Sequence, residues 1–216
     1  FKRRDYAFDV RGRDYIQLKG LTLRGAGIYT DGATDYNVYQ GLKIYGYDRG
    51  NVGRMWLSGS NNTLRDSEVS QSWGSVATVS GSGHRIVNNY FHDIGYSGTA
   101  RVLTMSGDAH LVSRNTVSRI ARSFLDGFPN RSEFSYNLFE DGANLSWDTG
   151  FFDGDAGRGN GGRCIVHHNV FRNTPAHGIY MAFYSGLDLV VHHNIIHDIT
   201  PFTLRAGPWS FLHYYH

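Results

Sequence analysis

Hydrophobic and polar positions along this chain recur on two scales. Within short runs such as "RMWLSG" from Arg54, "SVATVSG" from Ser75, "RVLTMSG" from Arg101 and "GIYMAFYSG" from Gly178, β-branched and aromatic residues often alternate with polar ones. That period of two is the signature of a strand with one face buried. On the longer scale the runs repeat. With Asn194, Asn169, Asn137, Asn115 and Asn89 in one column, and Ser67, Leu42 and Leu21 continuing it, the intervals are 25, 32, 22, 26, 22, 25 and 21 residues. Three residues before each anchor stand Leu18, Tyr39, Leu64, Ile86, Val112, Phe134, Val166 and Val191. Two after it stand Leu23, Ile44, Val69, Phe91, Val117, Phe139, Phe171 and Ile196. A wrong alignment would mix polar and apolar residues in these columns, and neither contains a polar one.

Upstream of each anchor lies a turn with Gly12, Gly32, Gly59, Gly81, Gly107, Gly127, Gly154 or Gly186. Each unit therefore predicts about three short strands joined by Gly and Asn turns, with no amphipathic helical run of useful length. Units of this size cannot each bury a core alone, so they stack as a solenoid. The expected fold is all-β, a solenoid of about eight coils over residues 1–199. The Asn column forms an asparagine ladder, and the aromatic segment 200–216 is a cap on the open end or the remnant of a further segment. Counting back from each glycine, Val10, Thr30, Leu57, Val79, Met105, Leu125, Phe152 and Tyr184 are predicted to point inward.

The turns "NNYF", "RNTV", "YNLF", "HNVF" and "HNII" carry a resemblance over roughly residues 6–199. The sequence resembles the right-handed parallel β-helix proteins of the pectate-lyase-like group, and segments such as "GIYMAFYSGLDLVVHHNIIHD" look like its bacterial, carbohydrate-active branch. The resemblance implies a right-handed solenoid, a polysaccharide or oligosaccharide partner, and a secreted or cell-surface location. Related lyases use a Lys, Arg, His or Tyr base and neutralise a uronate with calcium or a basic residue.

Composition narrows the partners. A net charge of +2, with 18 Arg and 3 Lys and no basic run, gives no electrostatic footprint for nucleic acid. No apolar stretch is long enough for a membrane helix. Cys164 is the single cysteine, which excludes an internal disulfide or a thiolate zinc cluster. The chain opens at Phe1 without a methionine or a secretion signal, which reads as a processed form or an excerpt.

The motif His-His-Asn occurs twice, at 167–169 and at 192–194. Four imidazoles invite a metal, but no carboxylate or thiol shares their columns to complete a coordination shell. They are therefore expected to be stacked structural side chains, and no metal ligands are assigned. His84, His92, His110, His177 and His197 stand singly, most of them expected on the surface or in turns.

The candidate chemistry lies on the outer strand face. Trp56, Phe124, Phe151 and Phe183 are expected to face solvent in one column as a sugar-stacking strip. Asp126 and Asp153 fall in the next column on adjacent coils, with Arg122 nearby. Two carboxylates one strand apart push one pKa up and supply an acid beside a base, as glycoside hydrolysis requires. The long interval contains "WDTGFFDGDAGRGNGG", a Gly-rich segment leaving the same face, which adds Asp148, Asp155 and Arg158 as substrate contacts. Asp148, Asp153 and Asp155 could hold calcium through oxygen ligands, but the spacing lacks a calcium-loop pattern. No cofactor is expected. The leading expectation is a glycoside hydrolase using the Asp126 and Asp153 pair. A polysaccharide lyase or epimerase with an Arg, His or Tyr base (Arg122, Arg158 or Tyr180) stands second, and a non-catalytic carbohydrate-binding or fibre module third. Lys2, Lys19 and Lys43 all lie near the amino end, so a lysine base is not expected.

Overall fold

The computed structural model describes residues 6–46, 54–146, 149–154, 163–181, 188–199, 204–206 and 211–215. Every strand pairing among them is parallel, and the strands fall into three long sheets and a two-stranded one. Sheet 1 has seven strands, Met55–Leu57, Ala77–Val79, Arg101–Met105, Ser123–Asp126, Gly150–Gly154, His177–Met181 and Leu204–Ala206. Sheet 2 has nine, from Gln17–Lys19 to Phe211–Tyr215, and sheet 3 has eight, from Thr22–Arg24 to Ile195–Ile199. From Met55 to Ile199 each coil contributes one strand to each sheet in turn, while in the first two coils Tyr6–Asp9 and Gly27–Tyr29 pair as the two-stranded sheet, and this is the solenoid predicted from the repeat.

Both apolar columns hold their register. Tyr39, Leu64, Ile86, Val112, Phe134, Val166 and Val191 pair successively in sheet 2. Ile44, Val69, Phe91, Val117, Phe139 and Phe171 do the same in sheet 3. All of these are buried. Val10, Leu57, Val79, Met105, Leu125 and Phe152 line the interior from the third side, with Thr30 also buried. Tyr184 lies outside the described residues.

Sheets 2 and 3 meet at a two-residue corner. Its first residue is left-handed in coil after coil, at Gly20, Gly41, Asp66, Asn88, Arg114, Tyr136, His168 and His193. A side chain in this conformation costs ~1–2 kcal/mol. The second residue offsets it: the side chain of Asn115 accepts the backbone N–H of Asn89 at 2.9 Å and donates to the Ile86 carbonyl at 2.9 Å. The same bonds recur from Asn137 to Asn115 and from Asn169 to Asn137, so the asparagine ladder exists as expected.

A second ladder, which the repeat did not reveal, runs inside the turn leading into sheet 2. Asn37 and Asn62 each accept the backbone N–H of the preceding coil through their Oδ1 atoms. His84 and His110 then take the same place. Nδ1 of His84 accepts from the Asn62 N–H at 3.2 Å, and Nδ1 of His110 accepts from the His84 N–H at 3.1 Å. Their Nε2 atoms face the carbonyls of Ser80 and Ser106 at 2.8 and 3.0 Å. These partners fix the Nε2–H tautomer. The expectation that most single histidines lie outside is corrected here: His84, His110 and His177 are 0%, 2% and 3% exposed.

Candidate functional site

The outer face of sheet 1 carries one register column, Trp56, Thr78, Thr104, Asp126 and Asp153, with Tyr180 holding the next position. Asp126 and Asp153 are thus in-register neighbours on adjacent parallel strands, one strand spacing, ~4.8 Å, apart at the backbone.

Neither carboxylate is bare. The Arg101 Nε lies 3.1 Å from Oδ2 of Asp126, which is 0% exposed. An Arg122 terminal nitrogen donates to Oδ2 of Asp153 at 3.3 Å, and the Thr149 hydroxyl donates to the same oxygen at 3.1 Å. Asp153 is 2% exposed. Burial pushes its carboxyl above the ordinary aspartate range, and the Asp126 charge adds to the rise. Arg122, the Thr149 hydrogen bond and Arg101 pull the other way without reversing it. Pairing of like charges is therefore the minor cause, and desolvation the major one. Thr149 and Arg101 are the members of this cluster that the sequence reading missed. Arg101 is three residues before Thr104, off the two-residue period, and only the register with Ser123 brings it beside the column.

The aromatic strip is overturned. Phe124 and Phe151 are both fully buried. The Phe124 ring lies 5.7 Å from that of Phe91 and 5.1 Å from that of Phe139, and Phe151 lies 5.7 Å from Phe139. The cause is local. Sheet 3 ends at Ile120 and sheet 1 resumes at Ser123, and at this corner alternation breaks, so Phe124 and Leu125 both turn inward. Phe151 and Phe152 repeat the arrangement on the next coil, as Val102 and Leu103 do on the previous one. Trp56 does stand in the outward column, half-buried, with the Arg54 guanidinium 4.5 Å over its ring and Tyr29 edge-on at 6.1 Å. Phe183, Asp148, Asp155 and Arg158 lie outside the described residues.

The paired histidines stack as the ladder geometry requires. His167 and His192 rings lie 5.0 Å apart at 10°, and His168 and His193 5.2 Å apart at 4°, with Tyr136 stacked on His168 at 5.0 Å. A carboxylate does reach this array, contrary to the column count: Glu133 Oε1 is 3.1 Å from His167 Nε2. Among the described residues no group of three or more His, Cys, Asp or Glu side chains is disposed to hold a metal ion.

The comparisons with known proteins bear on the fold. No curated protein and no solved structure matches the chain. The family model for a right-handed beta helix region matches residues 7–207, and in that match, with the coil-by-coil parallel register, the chain belongs to the right-handed beta helix family.

Proposed function

We propose that this β-helix is a polysaccharide-active enzyme, a glycoside hydrolase whose reacting groups are Asp126 and Asp153. The observation that carries the reading is that two buried aspartates stand in register on the outer column of sheet 1 while burial raises the carboxyl of Asp153. Burial shifts the Asp153 carboxyl toward its protonated form, which suits it to act as the general acid on the glycosidic oxygen. Asp126, salt-bridged to Arg101, is the carboxylate assigned to attack the anomeric carbon, and because it is 0% exposed that attack requires the face over the pair to open to the substrate. The pair stands one strand spacing, ~4.8 Å, apart at the backbone, and a carboxyl separation of that order would suit a retaining mechanism rather than an inverting one. Attack by Asp126 expels the leaving group as it takes the Asp153 proton, and water then cleaves the glycosyl ester with Asp153 accepting its proton. No cofactor enters these steps. Arg122 is a positioning residue, holding Asp153 through its 3.3 Å contact.

The substrate chain runs along the column from the carboxylates over Thr104 and Thr78 to Trp56, whose ring supplies the stacking contact. Asp148, Asp155, Arg158 and Phe183 remain proposed contacts from their place in the chain, and a secreted or cell-surface setting is proposed with the substrate. A lyase or epimerase acting on a uronate is the second reading, favoured by Tyr180 in the register position beside Asp153.

The test is a panel of neutral and uronate-containing polysaccharides, with product read both as new reducing ends and as the absorbance of an unsaturated uronate. Asp126→Asn and Asp153→Asn should each abolish release of reducing ends and keep the far-UV spectrum. Absorbing product from uronates alone supports the lyase, and binding without turnover of any member leaves a non-catalytic module.

A further inference from the structure

At the corner between sheets 2 and 3, far around the coil from Asp126, an open trench of about 390 Å³ runs parallel to the solenoid axis. Its floor is the ladder column, Leu42, Ser67 and Asn89. One wall is built by the left-handed corner residues Asp66, Asn88 and Arg114, and the other by the first residues of sheet 3 strands, Lys43, Glu68 and Tyr90. We propose that this trench is a second saccharide-binding site, and that its ligand is an uncharged glycan chain lying along the axis.

Charge balance argues for the class of ligand. Lys43 and Arg114 offset Asp66 and Glu68, so the trench offers donors and acceptors in alternation and no net field for a uronate or a polycation. Hydroxyl pairs are what such a lining satisfies. Carboxylate and amide groups accept and donate in the plane of a sugar's equatorial hydroxyls, and Asn88 already orients Asp66 by donating to its Oδ1 at 2.8 Å.

Tyr90 supplies the apolar component. Tyr90 is 37% exposed, yet it is held: the ring stacks on His92 at 4.1 Å, and its hydroxyl lies 3.2 Å from that of Ser118. His92 is fixed in turn between Asp93 at 2.6 Å and Glu68 at 3.1 Å. An aromatic ring so restrained loses little freedom on binding, which favours affinity. Nothing in this chain of contacts involves sheet 1, so the trench stands or falls independently of the Asp126 and Asp153 reading.

The experiment is calorimetry of the full chain and its Asp126→Asn variant with cellohexaose, xylohexaose and mannohexaose as neutral probes and hexagalacturonate as the charged one. At least one neutral probe should bind equally to both proteins. Tyr90→Ala should weaken it about tenfold, the loss of one stacking contact, and Tyr90→Phe should keep it. Lys43→Ala combined with Asp66→Asn, both at exposed positions, should also weaken it, and decides alone if Tyr90→Ala does not fold. Binding of no neutral probe, binding of hexagalacturonate alone, or an affinity unmoved by these changes overturns the proposal. Loss of turnover in Asp126→Asn with trench binding intact separates this site from the catalytic one.

Discussion

His110→Asn isolates the cost of using histidine where earlier coils of the ladder use asparagine. In the folded chain His110 must be neutral, because its Nδ1 accepts the His84 backbone N–H and a proton there would face that donor. Burial lowers its pKa from 6.5 to about 4, and the neighbouring His84, stacked at 5.1 Å, adds to the lowering. The unfolded chain binds the proton more readily, so it holds more protons than the folded one between these two values. Stability is then fully present above the unfolded pKa and lost as pH falls toward the folded one. A drop from 6.5 to about 4, at 1.36 kcal/mol per unit, puts the loss at about 3 kcal/mol for His110 alone. His84 is shifted in the same direction, also by burial first, and steepens the fall.

Asparagine at 110 can repeat what Asn62 does, accepting through Oδ1 and donating through Nδ2, without titrating. Urea unfolding of both proteins at steps from about pH 7 to 4.5 should therefore show curves that diverge as the pH falls, the variant losing less, by a slope difference of up to ~1.4 kcal/mol per pH unit. Carboxylates titrate in both proteins and cancel in the comparison. Parallel curves would refute the reasoning, since they would mean that the folded state accommodates the imidazolium.

In the asparagine ladder, Asn137→Leu or Asn169→Leu should lower stability by a few kcal/mol, because each leaves buried backbone groups of the neighbouring coils unpartnered, and unchanged thermal unfolding would remove the ladder from the account. Phe124→Ala should cost ~3–5 kcal/mol in denaturant unfolding and leave saccharide affinity alone, the reverse of what a surface stacking residue would do. Gly142→Ala should destabilise by ~1–3 kcal/mol, because its Cβ would clash with the Phe151 ring, and in differential scanning calorimetry the Gly142→Ala, Phe151→Leu double variant should recover part of the loss.

The fold was legible because stacking turns a three-dimensional arrangement into columns of sequence. Leu18 to Val191 and Leu23 to Ile196 could be aligned from the Asn turns alone, and the register pairs them residue for residue. The second ladder was not legible, because its members change type along the column, from Asn37 and Asn62 to His84, His110 and Ser132. They share only the ability to accept a backbone N–H and to donate to a carbonyl, through two atoms in Asn and His and through the one Oγ in Ser132. A reading by residue identity misses such a column, whereas one by hydrogen-bonding capacity finds it.

The candidate site was half legible, for a reason contained in the spacing. Gly107 and Gly127 lie 20 residues apart while Asn115 and Asn137 lie 22 apart, so the glycine and asparagine columns cannot both be in register there. The structure resolves the conflict for the asparagines: Asp108 bridges to Asn130, and Asp126 pairs with Thr104, not with Ser106 as glycine counting implies. A slip of two residues preserves strand parity, so the aspartates kept their parity but joined the column of Trp56, Thr78 and Thr104. The same slip moved Phe124 onto the corner with Val102, where parity no longer holds. The neighbours of the carboxylates change accordingly. The side chains leading away from Asp126 are Thr104 and Thr78, with Trp56 three strand spacings, ~14 Å, off. A ligand spanning this face meets hydroxyls next to the carboxylates and a ring only at its far end, so length of substrate should govern affinity here, and short saccharides that reach the carboxylates alone should bind weakly.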